Sequence, residues 1–113
     1  MGKTGALGSF EEMVLLAVLH QEEDAYSVTI RRELAERSGS EISMGAVYAT
    51  LDRLEDKGLL ASAPGDAGSS GPGRPRHYYS VLPAGVAALD ETRRIREAMW
   101  SGIDLHGADA RGR

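Results

Sequence analysis

The sequence predicts a mainly α-helical fold of the α+β class, and three observations predict it. Residues 43–60 carry a full set of helix signals. A glycine-rich break between two short β-prone runs follows, and after Pro83 the helical period returns. In the first stretch Ser43 supplies an N-cap hydroxyl, while Lys57 and Gly58 suit the negative end of a helix and its left-handed exit. Val47, Leu51 and Leu54 recur at i, i+4 and i+7 and form one buried face. Two helices before this one, a hairpin after it and a long helix at the end make a winged helix-turn-helix with a two-stranded wing and a C-terminal dimerisation helix.

Taken in order, residues 1–7 are short, glycine-containing and expected to be mobile. Ser9 and Glu12 have the spacing of a capping box, ahead of an apolar run over residues 13–19. Val14, Leu15, Val18 and Leu19 lie on overlapping faces, so this helix is buried on more than one side. One small chain owns little core, and a second copy is the favoured cover, with Val14 and Val18 at the interface; the alternative is a central helix in a small monomer. Asp24 is placed to cap a second helix over residues 25–37, with Tyr26, Ile30 and Leu34 on its buried face and Gly39 at its end. Arg31 and Arg32 on that helix suit either phosphates or a solvated face. The helix after Ser43 is then the second of a helix-turn-helix. Its first two exposed turns are small or neutral, and its acids, Asp52 and Asp56, come later. Such a helix can enter a groove between phosphates by its N-terminal end.

Residues 59–63 and 77–81 read as two strands, the second rich in aromatic and β-branched residues. The run between them, residues 64–73, is made of Pro, Gly, Ser, Ala and Asp and is expected to be a flexible wing tip. Arg74 and Arg76 flank Pro75 where the wing returns, suited to phosphates or a narrow minor groove. Pro83 opens a helix expected to reach residue 103, with Val86, Leu89, Ile95, Met99, Trp100 and Ile103 along it and Arg93 spaced to pair with Glu97. With nothing later in the chain to cover that stripe, a second copy about a two-fold axis is expected to. The division is a DNA-binding domain over residues 1–82, a dimerisation helix over 83–105 and a flexible tail over 106–113.

Length and composition agree with one small domain: 113 residues, 42% hydrophobic, 27% charged. No cysteine is present, so disulfides and thiolate metal sites are excluded, and His20, His77 and His106 lie on separate elements, so no metal or other cofactor is expected. Gly68-Ser69-Ser70-Gly71 has neither nucleophile-elbow nor phosphate-loop spacing, and the carboxylates fall on turns and solvent faces. An enzyme is not expected. No signal-like or membrane-length apolar run occurs, and the expected compartment is the cytoplasm. The net charge of −4 predicts weak non-specific binding to nucleic acid, because the basic residues are confined to spots.

Gly45-Ala46-Val47-Tyr48, Thr50-Leu51, Arg53-Leu54-Glu55 and Lys57-Gly58-Leu59 resemble the recognition-helix signature of PadR-type transcriptional regulators. Leu7-Gly8-Ser9-Phe10-Glu11-Glu12, Tyr26 with Ile30-Arg31-Arg32-Glu33-Leu34, and Gly73-Arg74-Pro75-Arg76-His77-Tyr78-Tyr79 with Pro83-Ala84-Gly85 resemble the family in the same order, so the likeness spans about residues 7–89. The chain departs at Leu82, where the family usually carries a capping Thr or Ser. The resemblance implies a homodimeric repressor on a pseudo-palindromic operator, in many members controlled by a small molecule. On that reading Ser43, Tyr48, Arg74 and Arg76 hold phosphates, and Met44, Gly45, Ala46, Ala49 and Arg53 face bases. Leu89, Ile95, Met99, Trp100 and Ile103 line the dimer interface. Met99 and Trp100 also suit a flat aromatic effector, although Trp100 packing on the partner helix is the favoured account of it. The alternative from another class is a winged-helix protein-interaction module that binds no DNA.

Overall fold

The computed structural model describes residues 7–65 and 76–110. Among them the order is α1 (Ser9–Gln21), a 3₁₀ turn (Glu22–Asp24), α2 (Ser27–Ser38), α3 (Met44–Asp56), β1 (Leu60–Pro64), β2 (His77–Val81), α4 (Pro83–Trp100) and α5 (Leu105–Ala110). The two strands pair antiparallel, with Leu60 opposite Val81 and Pro64 opposite His77. Helical elements dominate and the one described sheet is the wing, as the sequence predicts.

α1 is the centre of the packing, touching α2, α3, β2 and α4. That position explains why it is apolar on several sides. Val14, Leu15 and Val18 are buried against Ile30, Val47, Leu51 and Leu54 of the same chain. The expectation that Val14 and Val18 meet a partner is therefore corrected: the chain's own helices cover them, and the faces of α1 left open are those of Leu16 and Leu19. Burying each such side chain contributes about 1.5–3 kcal/mol.

Several helix starts differ by a residue or two from the sequence reading. α1 is capped by Gly8 rather than Ser9, and the Gly8 N–H donates to Glu11 Oε1 at 3.1 Å. Glu12, freed from capping, instead accepts from Arg96 Nε at 2.8 Å. α2 starts at Ser27, with Tyr26 at the N-cap and the Tyr26 N–H donating to Thr29 Oγ1 at 3.0 Å. Asp24 sits in the preceding 3₁₀ turn and acts through its carbonyl, which accepts from the Thr29 hydroxyl. α3 starts and caps as predicted, with Ser43 Oγ accepting from the Ala46 N–H at 3.1 Å.

Two glycines set how the wing and last helix join this body. Gly58, at φ +77°, turns the chain from α3 into β1. Gly85 in the first turn of α4 lies so close to the Leu59 carbonyl and Val81 that a Cβ there would collide with both. α4 thus docks backbone-to-backbone on the wing base, with Leu82 N–H donating to the Leu59 carbonyl at 3.0 Å. Leu82 offers no side-chain cap, and Pro83 in the first turn compensates by needing no partner for its nitrogen. Only Gly85, Ala88 and Thr92 of α4 are buried. The helix ends at Trp100, three residues before the expected end, because Gly102 turns left-handed at φ +81°. Leu105–Ala110 form α5, which takes in residues 106–110 of the expected flexible tail.

Candidate nucleic-acid interface

The exposed side of α3 is built by what the other side buries. Val47, Thr50, Leu51 and Leu54 face the core, which leaves Gly45, Ala46, Tyr48, Ala49 and Asp52 facing out, with Ser43 exposed at the cap and Met44 half-buried. Six of the sequence-chosen positions, Ser43, Met44, Gly45, Ala46, Tyr48 and Ala49, therefore come together at one end of one helix. Nothing charged stands among them until Asp52.

Arg53 does not join this group. Its Nε donates to Glu11 Oε2 at 3.1 Å and its Nη2 to Thr50 Oγ1 at 3.3 Å, which turns the guanidinium back towards α1. Lys57 Nζ donates to the same Glu11 oxygen at 2.8 Å. Burial pushes the Glu11 carboxyl up, but hydrogen bonds from Lys57, the Gly8 N–H and Arg53 outweigh it and hold it below the usual carboxylate range. The base-facing role expected of Arg53 is thus displaced by a structural one: a nearly buried carboxylate holds it.

The wing supplies the second wall. Arg74 lies outside the described residues; Arg76 is the first described residue on the returning side. Its guanidinium sits 4.2 Å from the centroid of the Tyr26 ring. Tyr26 and Tyr78 meet edge to face, centroids 5.5 Å apart at 63°. Hydrogen bonding to Tyr78 leads the effects that raise the Arg76 pKa, so its charge is permanent. The strand is tied to the entrance of α2 by a bond from the Tyr79 N–H to the Ala25 carbonyl at 2.8 Å. Burial, with Glu55 and Asp52 nearby, pushes the Tyr79 hydroxyl up, so it stays protonated.

Between wing, α2 and α3 opens a cleft of about 630 Å³ lined by Tyr26, Ser27, Val28, Tyr48, Arg76, His77 and Tyr79. Across it the Ser27 and Tyr48 hydroxyls lie 3.2 Å apart. One guanidinium, two hydroxyls and the first turn of α2 converging on an open cleft can receive an anionic oxygen. Sequence reasoning found Tyr48 and Arg76 but missed Ser27, and read Tyr26 as core. The signal for Ser27 is its place at the first position of α2, which the sequence obscures by offering Asp24 as an earlier cap.

At the far end, Met99, Trp100 and Ile103 are exposed (74%, 56% and 55%), Ile95 is half-buried, and Leu89 packs partly on the core. A shallow hollow of about 260 Å³ lies between Leu7, Thr92, Ile95, Arg96, Met99 and Trp100. Among the described residues no group of three or more His, Asp or Glu is arranged to hold a metal. Nor is any described helix long and apolar enough to cross a membrane.

Comparison with known proteins fits this geometry. The family model described as the transcriptional regulator PadR-like family matches residues 15–91. Over 88 residues the chain is 40% identical to transcriptional regulator Rv3488 of Mycobacterium tuberculosis, covering 76% of this chain and 78% of that one. Among solved structures it is similar to a PadR family transcriptional regulator from Eggerthella lenta, at 30% identity and a TM-score of 0.69, covering 84% of this chain and 78% of that one. A PadR-like transcriptional regulator from Bacillus cereus is similar at 25% identity and a TM-score of 0.64, covering 81% and 84% of the two chains.

Proposed function

The chain belongs to the PadR-like family of transcriptional regulators, and from that premise we propose that it binds double-stranded DNA as a homodimer and represses from a pseudo-palindromic operator. The observation that carries the reading is the neutral end of α3, with Tyr48 on one flank and Arg76 across the cleft. Ser43, Ser27, Tyr48, Arg74 and Arg76 hold phosphates, while Met44, Gly45, Ala46 and Ala49 approach bases. Small side chains allow close approach and thymine-methyl contact but few bidentate hydrogen bonds, so recognition depends heavily on DNA shape. Asp52 and Asp56, on the later turns of α3, stay back from the duplex.

Dimerisation rests on α4. Val86, Met99, Trp100, Ile103 and Leu105 are all more than half exposed, an apolar series that a second copy covers with its own. Two α3 helices about one DNA turn apart, roughly 34 Å, then face successive major grooves. A flat aromatic effector stacking on Trp100 beside Met99 releases the DNA by biasing how the two α4 helices pack. As a DNA regulator the protein works in the cytoplasm.

The test is fluorescence anisotropy on DNA from upstream of the protein's own gene, against a scrambled duplex, across a salt series. Selective binding with two chains per site is the expected result. Binding no better than the scrambled duplex, followed by failure to enrich any sequence from a randomised library, leaves the protein-interaction module instead. Trp100 fluorescence titrated with phenolics and cationic dyes tests the effector: saturable quenching is expected, and a flat response removes it.

A further inference from the structure

The reading of α3 and the wing as a DNA surface says what Arg76 does but not what holds it ready. We propose that Tyr26 and Tyr78 are positioning residues for DNA binding, forming a two-ring seat that fixes Arg76 at the mouth of the cleft. The inference rests on the DNA-binding reading above and concerns residues that touch no nucleic acid themselves.

Three observations on independent parts of the chain converge. The Arg76 guanidinium lies 4.2 Å over the Tyr26 ring, and Tyr78 packs edge-on against the same ring at 5.5 Å. The guanidinium partners of Arg76 among the described residues are aromatic, whereas Arg37, Arg53, Arg93, Arg94 and Arg96 each pair with a carboxylate. The backbone is pinned at the arginine and in the strand that follows it. The Gly65 N–H donates to the Arg76 carbonyl at 2.7 Å, and Tyr79 N–H bonds the residue before Tyr26.

The choice of an aromatic seat over a carboxylate has a physical consequence. A carboxylate would occupy the N–H edge of the guanidinium and cancel its charge. A ring face takes the flat of the group instead, and leaves the charge and the N–H groups that Tyr78 does not engage for a phosphate. Holding the side chain in one orientation before binding removes entropy that would otherwise be lost on contact. Tyr26 is well suited to the task because it caps α2 through its main chain alone: its N–H donates to Thr29 Oγ1, and its carbonyl accepts from the Ile30 N–H at 2.8 Å. Its side chain can change without uncapping the helix.

The experiment compares Tyr26→Phe, Tyr26→Leu, Arg76→Ala and the Tyr26→Leu/Arg76→Ala double variant, each as the full chain. Anisotropy is measured on a duplex enriched from a randomised library, over a KCl series. The phenylalanine variant keeps the ring and should bind within about twofold of the parent. The leucine variant should weaken binding about two- to fivefold and lower the salt slope part of the way to that of Arg76→Ala, although it removes no charge. In the Arg76→Ala background it should add nothing. A neutral residue moves a salt slope only by acting through a charged one, which a merely structural role would not do. Weakening with the slope unchanged, or equal weakening with and without Arg76, overturns the seat. If the parent binds DNA and Tyr26→Leu matches it, the seat fails alone; if the parent enriches no duplex, the DNA reading fails and takes the seat with it.

Discussion

The cationic side chains around α3 are handled in two opposite ways. At the C-terminal end Arg53 and Lys57 converge on Glu11, whose side chain is only 10% exposed while theirs are about half exposed. Across the cleft from Tyr48, Arg76 lies over the Tyr26 ring. The first arrangement ties α1 to α3 and uses up the guanidinium edge; the second leaves it available. What separates a structural cation from a binding one here is the partner, a nearly buried acceptor in one case and a ring face in the other.

The largest effect expected from disturbing this contrast is at Glu11. Glu11→Ala leaves two cations without their acceptor and removes the side-chain bond to the Gly8 N–H. Because both cations are half exposed, solvent offsets part of the loss, and the cost should be about 1–2 kcal/mol. That is a fall in Tm of roughly 4–16 °C for a domain this size, measured by circular dichroism at neutral pH. The difference should depend on pH in one direction. Glu11 has a lowered pKa in the folded chain, so its contribution is fully present above the ordinary carboxylate range and is lost as pH falls through the depressed value. Melting curves of the parent and Glu11→Ala should therefore converge on acidification. A gap that stays constant down to strongly acidic pH would show that the charge on Glu11 contributes nothing.

Much of this was legible in the sequence, and the exceptions have physical reasons. The type and order of the helices and the wing, the Ser43 cap and the small face of α3 followed from period and punctuation, because local rules decide them. The sequence points Val14 and Val18 at a partner because an apolar pattern states that a face is covered and not by what. In the structure α2 and α3 supply that cover, with β2 and α4 touching α1 from later in the chain. Arg53 was given to DNA for a related reason: its acceptor, Glu11, lies 42 residues away, and no local rule joins them. Arg74 stands untested by the geometry, being outside the described residues. The Arg76–Tyr26 contact shares that long-range character, which is why Tyr26 read as core.

The contrast is sharpened by removing one arginine from each arrangement. Arg76→Ala should weaken binding to every duplex alike, by about fivefold to tenfold, and reduce the salt slope by about 0.9. Arg53→Ala should leave the slope where it is and instead lower stability by about 0.5–1 kcal/mol, since one of the two cations on Glu11 is gone. Anisotropy over a salt series and urea denaturation of the same two proteins separate the outcomes. A slope change in Arg53→Ala would return that residue to the DNA face.

The smallest effect expected is at Tyr48, where one hydroxyl can be deleted without changing shape. Tyr48 Oη lies 3.2 Å from Ser27 Oγ on an exposed rim, so Tyr48→Phe removes a bond that water readily replaces. Stability should change by less than about 0.5 kcal/mol. DNA affinity should fall by about twofold to fivefold, because a neutral hydroxyl on a phosphate contributes a modest bond, and the salt slope should not move since no charge is lost. The paired measurement discriminates between the two uses of the group. A stability loss larger than the affinity loss would make the Ser27–Tyr48 bond a brace between α2 and α3, and the cleft would then be left to Arg76.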